Sequence, residues 1–288
     1  MEVIHFSKPE EFQDELLETL VEREAENNLV LGILANLIAG EYSEYQPYLA
    51  LFREGGEILA ASICTPPWPV LVSYQDPPSR EEVLTEMLAD MERNLQENFT
   101  GLSGNREFIS RLITIWEKNT GKKAILKMAM RIYKLEEVQS VEGVSGRIRP
   151  AGEGDRVLLE NWYAGFHRDA LYEEPDQKQV RKQVDAYLTA SPTNRGLMIW
   201  EDNGLPVSMA GYAGPTPNGI RVGAVYTPPE LRKKGYASAV TAGVSQHLLD
   251  GGYKFCFLFT DLLNPTSNHI YQQIGYRPVC DADRYLFA

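Results

Sequence analysis

One order of hydrophobic periodicities runs through this chain twice, and the repeat limits the fold more than any single motif does. The order is clearest after residue 146. A short strand over 147–149 precedes a helix capped by Asp155, with Val157, Leu158, Trp162 and Phe166 at helical spacing. A second helix covers 176–188. Strands over 197–200 and 207–212 form a hairpin around Asp202-Asn203-Gly204, and another strand covers 220–226. A helix over 236–249 stops at Gly251-Gly252. The apolar run 255–259 suits a central strand, and a short helix over 266–274 ends at Gly275. Two short strands, near Tyr276 and Tyr285, close the chain.

The same order shows more faintly in the first half. A strand over 3–6 leads to a helix capped by Ser7 and opened by Pro9, then to a helix over 28–38. Strands over 48–52, 58–64 and 70–72 follow, then helices over 81–95 and 108–116, and a strand over 124–135. The pattern predicts an α/β protein: two copies of one unit, each a mixed central sheet flanked by helices. At 288 residues each copy is long enough to bury a core of its own. The polar segment 136–145 reads as the linker, giving domains over 1–140 and 146–288.

With 43% hydrophobic and 24% charged residues, the chain has the balance of a globular protein rather than a disordered one. A net charge of −12 argues against nucleic acid as a partner, because that affinity rests on Lys and Arg. It suits a cationic acceptor such as an amine. Cys64, Cys256 and Cys280 are far apart and lack zinc spacing, so no metal is expected. The start has no leader pattern, and the apolar stretch 29–39 is too short to span a bilayer. These features predict a cytoplasmic chain with no membrane partner.

The stretch that carries chemistry is Val225-Tyr226-Thr227-Pro228-Pro229-Glu230-Leu231-Arg232-Lys233-Lys234-Gly235-Tyr236-Ala237. A strand ends, a proline turn follows, and cations and a glycine open a helix. Helix N-terminal N–H groups are unsatisfied and attract anions, so the geometry suits a diphosphate. Gly235 and Ala237 allow close approach of an anion to the backbone. Arg232, Lys233 and Lys234 oppose the helix dipole unless an anion sits there.

This stretch resembles the acyl-CoA-binding motif of the GNAT superfamily of N-acetyltransferases, of the FR47-like type, which reads Arg/Gln-x-x-Gly-x-Gly/Ala after a strand. Arg232, Gly235 and Ala237 fill its three positions; the family more often has Gly where Lys233 stands. Downstream, Asn264-Pro265-Thr266-Ser267-Asn268-His269-Ile270-Tyr271-Gln272-Gln273-Ile274-Gly275-Tyr276 looks like the family's second signature. The resemblance covers about 146–288. It implies tandem GNAT-like domains and acetyl-CoA as cosubstrate, with the pantetheine arm lying where the strand over 225–227 splays from the strand over 255–259. It implies cofactor contacts at Val225, Tyr226 and Thr227, at Arg232 through Ser238, and at Asn264 and Ser267. It also implies that Tyr271 protonates or hydrogen-bonds the leaving thiolate. Acetyl would pass to a primary amine on a small molecule or peptide, by direct attack.

No general base stands out. Arg221 lies near the strand position where some family members carry a Glu. Glu173 and Glu174 are acidic loop candidates for a base acting through water, and Asp261 either orients the acceptor amine or caps the turn that follows its strand. The aromatic and acidic stretch Trp162, Tyr163, Phe166, Asp169, Tyr172, Glu173, Glu174 is where acceptor specificity is expected. His167 and His269 have no metal-spaced partner. In the first half, the loop after 70–72 lacks Gly and carries Asp76, Glu81 and Glu82, and Trp116 replaces the tyrosine. That half reads as a degenerate copy which supports the other, with Trp68 as part of an acceptor wall. The alternatives are a non-catalytic acyl-CoA binder and an N-acyltransferase with a longer acyl donor. A transferase using charged tRNA is disfavoured by the acidic charge.

Overall fold

The computed structural model describes residues 1–40, 46–75, 80–190 and 194–288. The chain divides into two units, one of Met1–Ile132 with Val279–Ala288 and one of Tyr133–Pro278.

The first unit runs β1 (Glu2–His5), α1 (Pro9–Glu22), α2 (Glu24–Ile38), β2 (Tyr48–Glu54), β3 (Glu57–Cys64), β4 (Val70–Tyr74), α3 (Glu81–Leu95), β5 (Gly101–Asn105), α4 (Arg106–Thr120) and β6 (Ala124–Leu135). Strands β1 to β4 pair antiparallel in sequence order, and β4 and β5 are parallel. Strand period two sorts the side chains. Leu49 and Leu51 of β2 face α1 and α2, where they meet Phe12, Leu16 and Leu34. Ala50 and Phe52 face α3 and α4, where they meet Met87, Leu112 and Trp116.

The second unit repeats the plan with β7 (Arg147–Pro150), α5 (Arg156–Phe166), a π-helical turn (His167–Leu171), α6 (Gln177–Thr189), β8 (Arg195–Asp202), β9 (Leu205–Pro215), β10 (Gly219–Tyr226), α7 (Tyr236–Asp250), β11 (Phe255–Asp261) and α8 (Pro265–Ile274). Strands β7 to β10 are antiparallel, and β10 and β11 are parallel. One face packs Leu159, Trp162, Val184 and Ile199 under α5 and α6. The other packs Tyr212, Val240, Leu248 and Tyr276 under α7 and α8.

The end of the chain differs from the two short strands expected. It is a single strand, β12 (Arg277–Phe287), in which Ala282 to Leu286 pair antiparallel with β5. Arg106 fastens this segment through Asp281 and Asp283, and Phe287 stacks on Trp116 at 3.8 Å between ring centres. Strand β5, Gly-Leu-Ser-Gly-Asn, is not among the strands that the sequence predicts; it holds no β-branched or aromatic residue. No helix among the described residues is long and apolar enough to cross a membrane.

Candidate active site

The parallel pair β10 and β11 is short. Gly219, Ile220 and Arg221 stand opposite Phe255, Cys256 and Phe257, and the ladder ends there, so 222–226 run on without β11. On its other edge β10 stays with β9. Its register slips, however: Gly223 faces Gly211 and Tyr226 faces Met209, so Ala224 and Val225 share one opposing position. This is a β-bulge, and Ala224 takes φ 47° within it. Bulges re-aim a strand, and this one falls where β10 leaves β11.

The strand end is then held from two sides. Buried Ser208 on β9 donates to the Tyr226 carbonyl at 3.0 Å and shares a 2.8 Å bond with the Thr227 hydroxyl. Arg232 Nε donates to the Thr227 carbonyl at 2.9 Å, and an amino group of the same guanidinium donates to Asp169. The guanidinium carbon lies 5.9 Å from the centre of the Tyr226 ring.

Helix α7 starts without a side-chain cap. Gly235 is its N-cap at φ 82°, and the first turn holds no acidic residue. A Cβ on Gly235 would lie 2.6 Å from Cγ2 of Val144, so the left-handed conformation favours glycine and a side chain would have to displace that methyl. The first-turn N–H groups therefore lack the usual protein acceptor, which is the condition for an anion site. Lys233 and Lys234 beside it are exposed, and Lys233 is left-handed at φ 63°.

The parted strands and the starts of α7 and α8 enclose a cavity of about 460 Å³. Val225, Tyr226 and Thr227 line it from β10 and the residue after it, Arg232, Lys233 and Gly235 from the loop, and Tyr236, Ala237 and Ser238 from α7. Asn264, Ser267 and Tyr271 line it from the α8 side. Of the cofactor contacts that the resemblance implies, Lys234 is outside its wall, and so is Asp261. The Tyr236 hydroxyl is already engaged: it donates to Asp202 at 2.6 Å, and this bond holds the Asp202 carboxyl below its usual range.

Tyr271 reaches the cavity from the middle of α8. Its ring packs edge-on to Tyr276, and its hydroxyl has no hydrogen-bond partner among the described residues. Burial pushes its phenol up to about 12. Asn264 caps α8, its side-chain oxygen accepting the Ser267 N–H at 3.0 Å, which leaves its amide N–H groups for a ligand. Asp261 is engaged at the end of β11. Its carboxylate accepts the Leu263 N–H at 2.8 Å and the Tyr172 hydroxyl at 3.3 Å, so it caps the turn after β11 and steadies Tyr172. Glu173 and Glu174 are also outside the wall. The carboxylate in the wall is Asp169, paired with Arg232. The π-helical turn carries it there, and no residue pattern announces such a turn. Among the described residues no group of His, Cys, Asp and Glu is set to hold a metal.

In the first unit the corresponding ladder is equally short, but its strand ends two residues beyond it. β4 and β5 pair from Val70–Leu102 to Val72–Gly104, leaving only Ser73 and Tyr74 beyond the ladder. A Cβ on Gly104 would lie 2.5 Å from the Val72 carbonyl. Arg23 covers the end of β4, donating to the Tyr74 and Gln75 carbonyls and lying 4.6 Å over the Tyr74 ring. α3 begins with Glu81 and Glu82, which answer the helix dipole from within. Trp116 is a buried core residue. Asp76 lies outside the described residues.

Residues 206–286 match the family model described as FR47-like protein. No curated protein matches the chain in sequence. Solved structures match it in fold. A GCN5-related N-acetyltransferase from Sphaerobacter thermophilus is similar with a TM-score of 0.65 at 13% identity, over 99% of this chain and 95% of that one. A Drosophila protein is similar with a TM-score of 0.68 at 14% identity, over 99% and 98%. A tandem GNAT protein from the clavulanic acid biosynthesis pathway is similar with a TM-score of 0.57 at 11% identity, over 100% and 98%.

Proposed function

We propose that this chain of two tandem GNAT-fold units is an acetyl-CoA-dependent N-acetyltransferase whose reaction takes place in the second unit. The observation that carries the reading is one cavity shared by a parted parallel strand pair, an uncapped helix N-terminus and an unpartnered phenol. The N-terminus of α7, with Lys233 and Lys234 beside it, suits the diphosphate. The gap beside 222–226 suits the pantetheine arm, with the Asn264 amide as a donor. The thioester would then lie between the end of β10 and Tyr271, with backbone N–H groups near the bulge as oxyanion donors.

In the reaction, the lone pair of a neutral primary amine attacks the thioester carbonyl carbon. A C–N bond forms, the C–S bond breaks, and the electron pair leaves on sulfur. The amine gives one proton to solvent, the thiolate takes one from solvent, and the products are an amide and free CoA. Tyr271 hydrogen-bonds the departing sulfur. Proximity in one ternary complex supplies much of the acceleration. The acceptor is a small-molecule or peptide amine.

A second reading, an acyl-CoA binder without turnover, draws support from the wall's carboxylate, Asp169, being tied to Arg232. One experiment tests both: calorimetric titration of acetyl-CoA into wild type and Ala237→Glu, followed by thiol release with a panel of amines. Ala237 lines the cavity in the first turn of α7, where Glu is a good helix former but sets a carboxylate against the diphosphate. Micromolar binding by wild type, at least a hundredfold weaker in the folded variant, is expected. Binding without thiol release supports the second reading. No binding by folded wild type removes both.

A further inference from the structure

The arginine of the diphosphate loop is already engaged within the protein. Arg232 turns back. Nε meets the Thr227 carbonyl at 2.9 Å, an amino group meets Asp169, and the guanidinium lies near the Tyr226 ring. Thr227 is followed by Pro228, so the peptide whose carbonyl Arg232 holds has no N–H of its own. The Thr227 hydroxyl is held by Ser208 on β9. The stretch that leaves β11 is thus tied to its neighbour strand on one side and, through Arg232, to the π-helical turn on the other. That turn is tied in its own right to the end of β11, because Tyr172 donates to Asp261 at 3.3 Å. Arg232 and Tyr172 fasten the same short segment to the two strand ends that part around the cavity.

We infer that Arg232 is a positioning residue: together with Asp169 it sets the spacing of the parted strands, and it is not the ligand of the diphosphate. The inference rests on the proposed use of acetyl-CoA. Two physical points favour it. A charge already compensated by Asp169 adds little potential at the mouth, whereas the exposed Lys233 and Lys234 beside it are available to phosphate. The fork geometry of guanidinium, which lysine lacks, is what lets one side chain bond a carbonyl and a carboxylate together.

The two roles predict opposite results in the full chain. For a positioning residue, Arg232→Lys and Arg232→Met both weaken acetyl-CoA binding about tenfold, since each loses the fork. Asp169→Asn also weakens it, by about threefold, although it removes a negative charge near a polyanion. Binding of the nucleotide half alone, 3′-phosphoadenosine 5′-diphosphate, is unchanged in all three, because the strand gap holds the other half of the cofactor. For a phosphate ligand, Arg232→Lys binds like wild type, Asp169→Asn binds more tightly, and Arg232→Met loses the nucleotide half as well. Asp169 is partly exposed, so Asp169→Asn is expected to fold, which thermal melting followed by circular dichroism checks. Wild type that binds acetyl-CoA together with the second pattern overturns this inference alone. Wild type that binds no acetyl-CoA overturns it together with the reading it rests on.

Discussion

The phenol of Tyr271 lines the cavity without a hydrogen-bond partner among the described residues, and burial has pushed it up to about 12. A thiolate whose thiol titrates near 8.5 is a far weaker base than that phenolate, so full proton transfer from the phenol to sulfur is uphill by roughly 5 kcal/mol. A hydrogen bond to the departing sulfur has no such cost. Removing a bond of this charged kind by Tyr271→Phe is expected to lower kcat by about 10- to 100-fold, with little change in the Kd for acetyl-CoA. Because the phenol stays protonated through pH 10, Tyr271 contributes no alkaline fall there. The rate instead rises from pH 7 to 10 as the acceptor amine loses its proton. A fall centred near pH 10 that vanishes in Tyr271→Phe would show an ordinary phenol acting as the acid. Lys233 carries a different cost, at φ 63° in the left-handed region. A left-handed side-chain residue costs about 1–2 kcal/mol, and glycine returns about 0.5–1 through unfolded-chain entropy. Lys233→Gly is therefore expected to stabilise the protein by about 0.5–1 kcal/mol, read as a higher urea midpoint at constant slope. A lower midpoint would mean that contacts of the lysine outweigh the strain.

At the scale of elements, the sequence announces those parts of the site whose physics is local. The loop from Thr227 to Ala237 is legible because a proline turn, three cations and a glycine before an apolar helix each have a backbone reason to be there. Asn264 and Pro265 announce α8 in the same way, as cap and first turn. What escapes is whatever depends on a neighbour distant in sequence. Val-Gly-Ala-Val-Tyr reads as plain strand, and only its pairing with β9 shows the bulge at Ala224 and Val225. The π-helical turn that brings Asp169 to Arg232 has no residue signature, so that arginine reads as a cation free for phosphate when it is in fact compensated. Strand β5 is weak in propensity and is defined by close approach: Gly104 leaves room for the Val72 carbonyl. In β12, Pro278 and the acidic residues Asp281 and Asp283 suggest a break, but the two carboxylates are spoken for by Arg106.

For the whole molecule, the polar linker over 136–145 invites division of the chain at residue 146, and the packing argues against it. Tyr133 and Leu135 are fully buried members of the core under α7 and α8. The Tyr133 hydroxyl donates to Asn268 at 2.9 Å and accepts from Gln272 at 3.0 Å, both on α8, the helix that carries Tyr271. Further along, Gln139 N–H donates to the Ile274 carbonyl, and Val144 lies against Gly235 at the start of α7. The segment 133–146 therefore belongs with the second unit: Tyr133 and Leu135 are in its core, and the rest packs over it and touches both helices of the cavity. Losing one buried aromatic costs about 3–5 kcal/mol, a large share of the 5–15 kcal/mol that holds a typical domain. A chain of residues 146–278 loses Tyr133, Leu135 and Val144 at once, and is expected to melt without a cooperative transition and to bind no acetyl-CoA. A chain of residues 133–278, which keeps them, is expected to melt cooperatively. Circular dichroism melting of the two side by side decides it. Cooperative unfolding and acetyl-CoA binding by the shorter chain would mean that this segment only covers the core it touches.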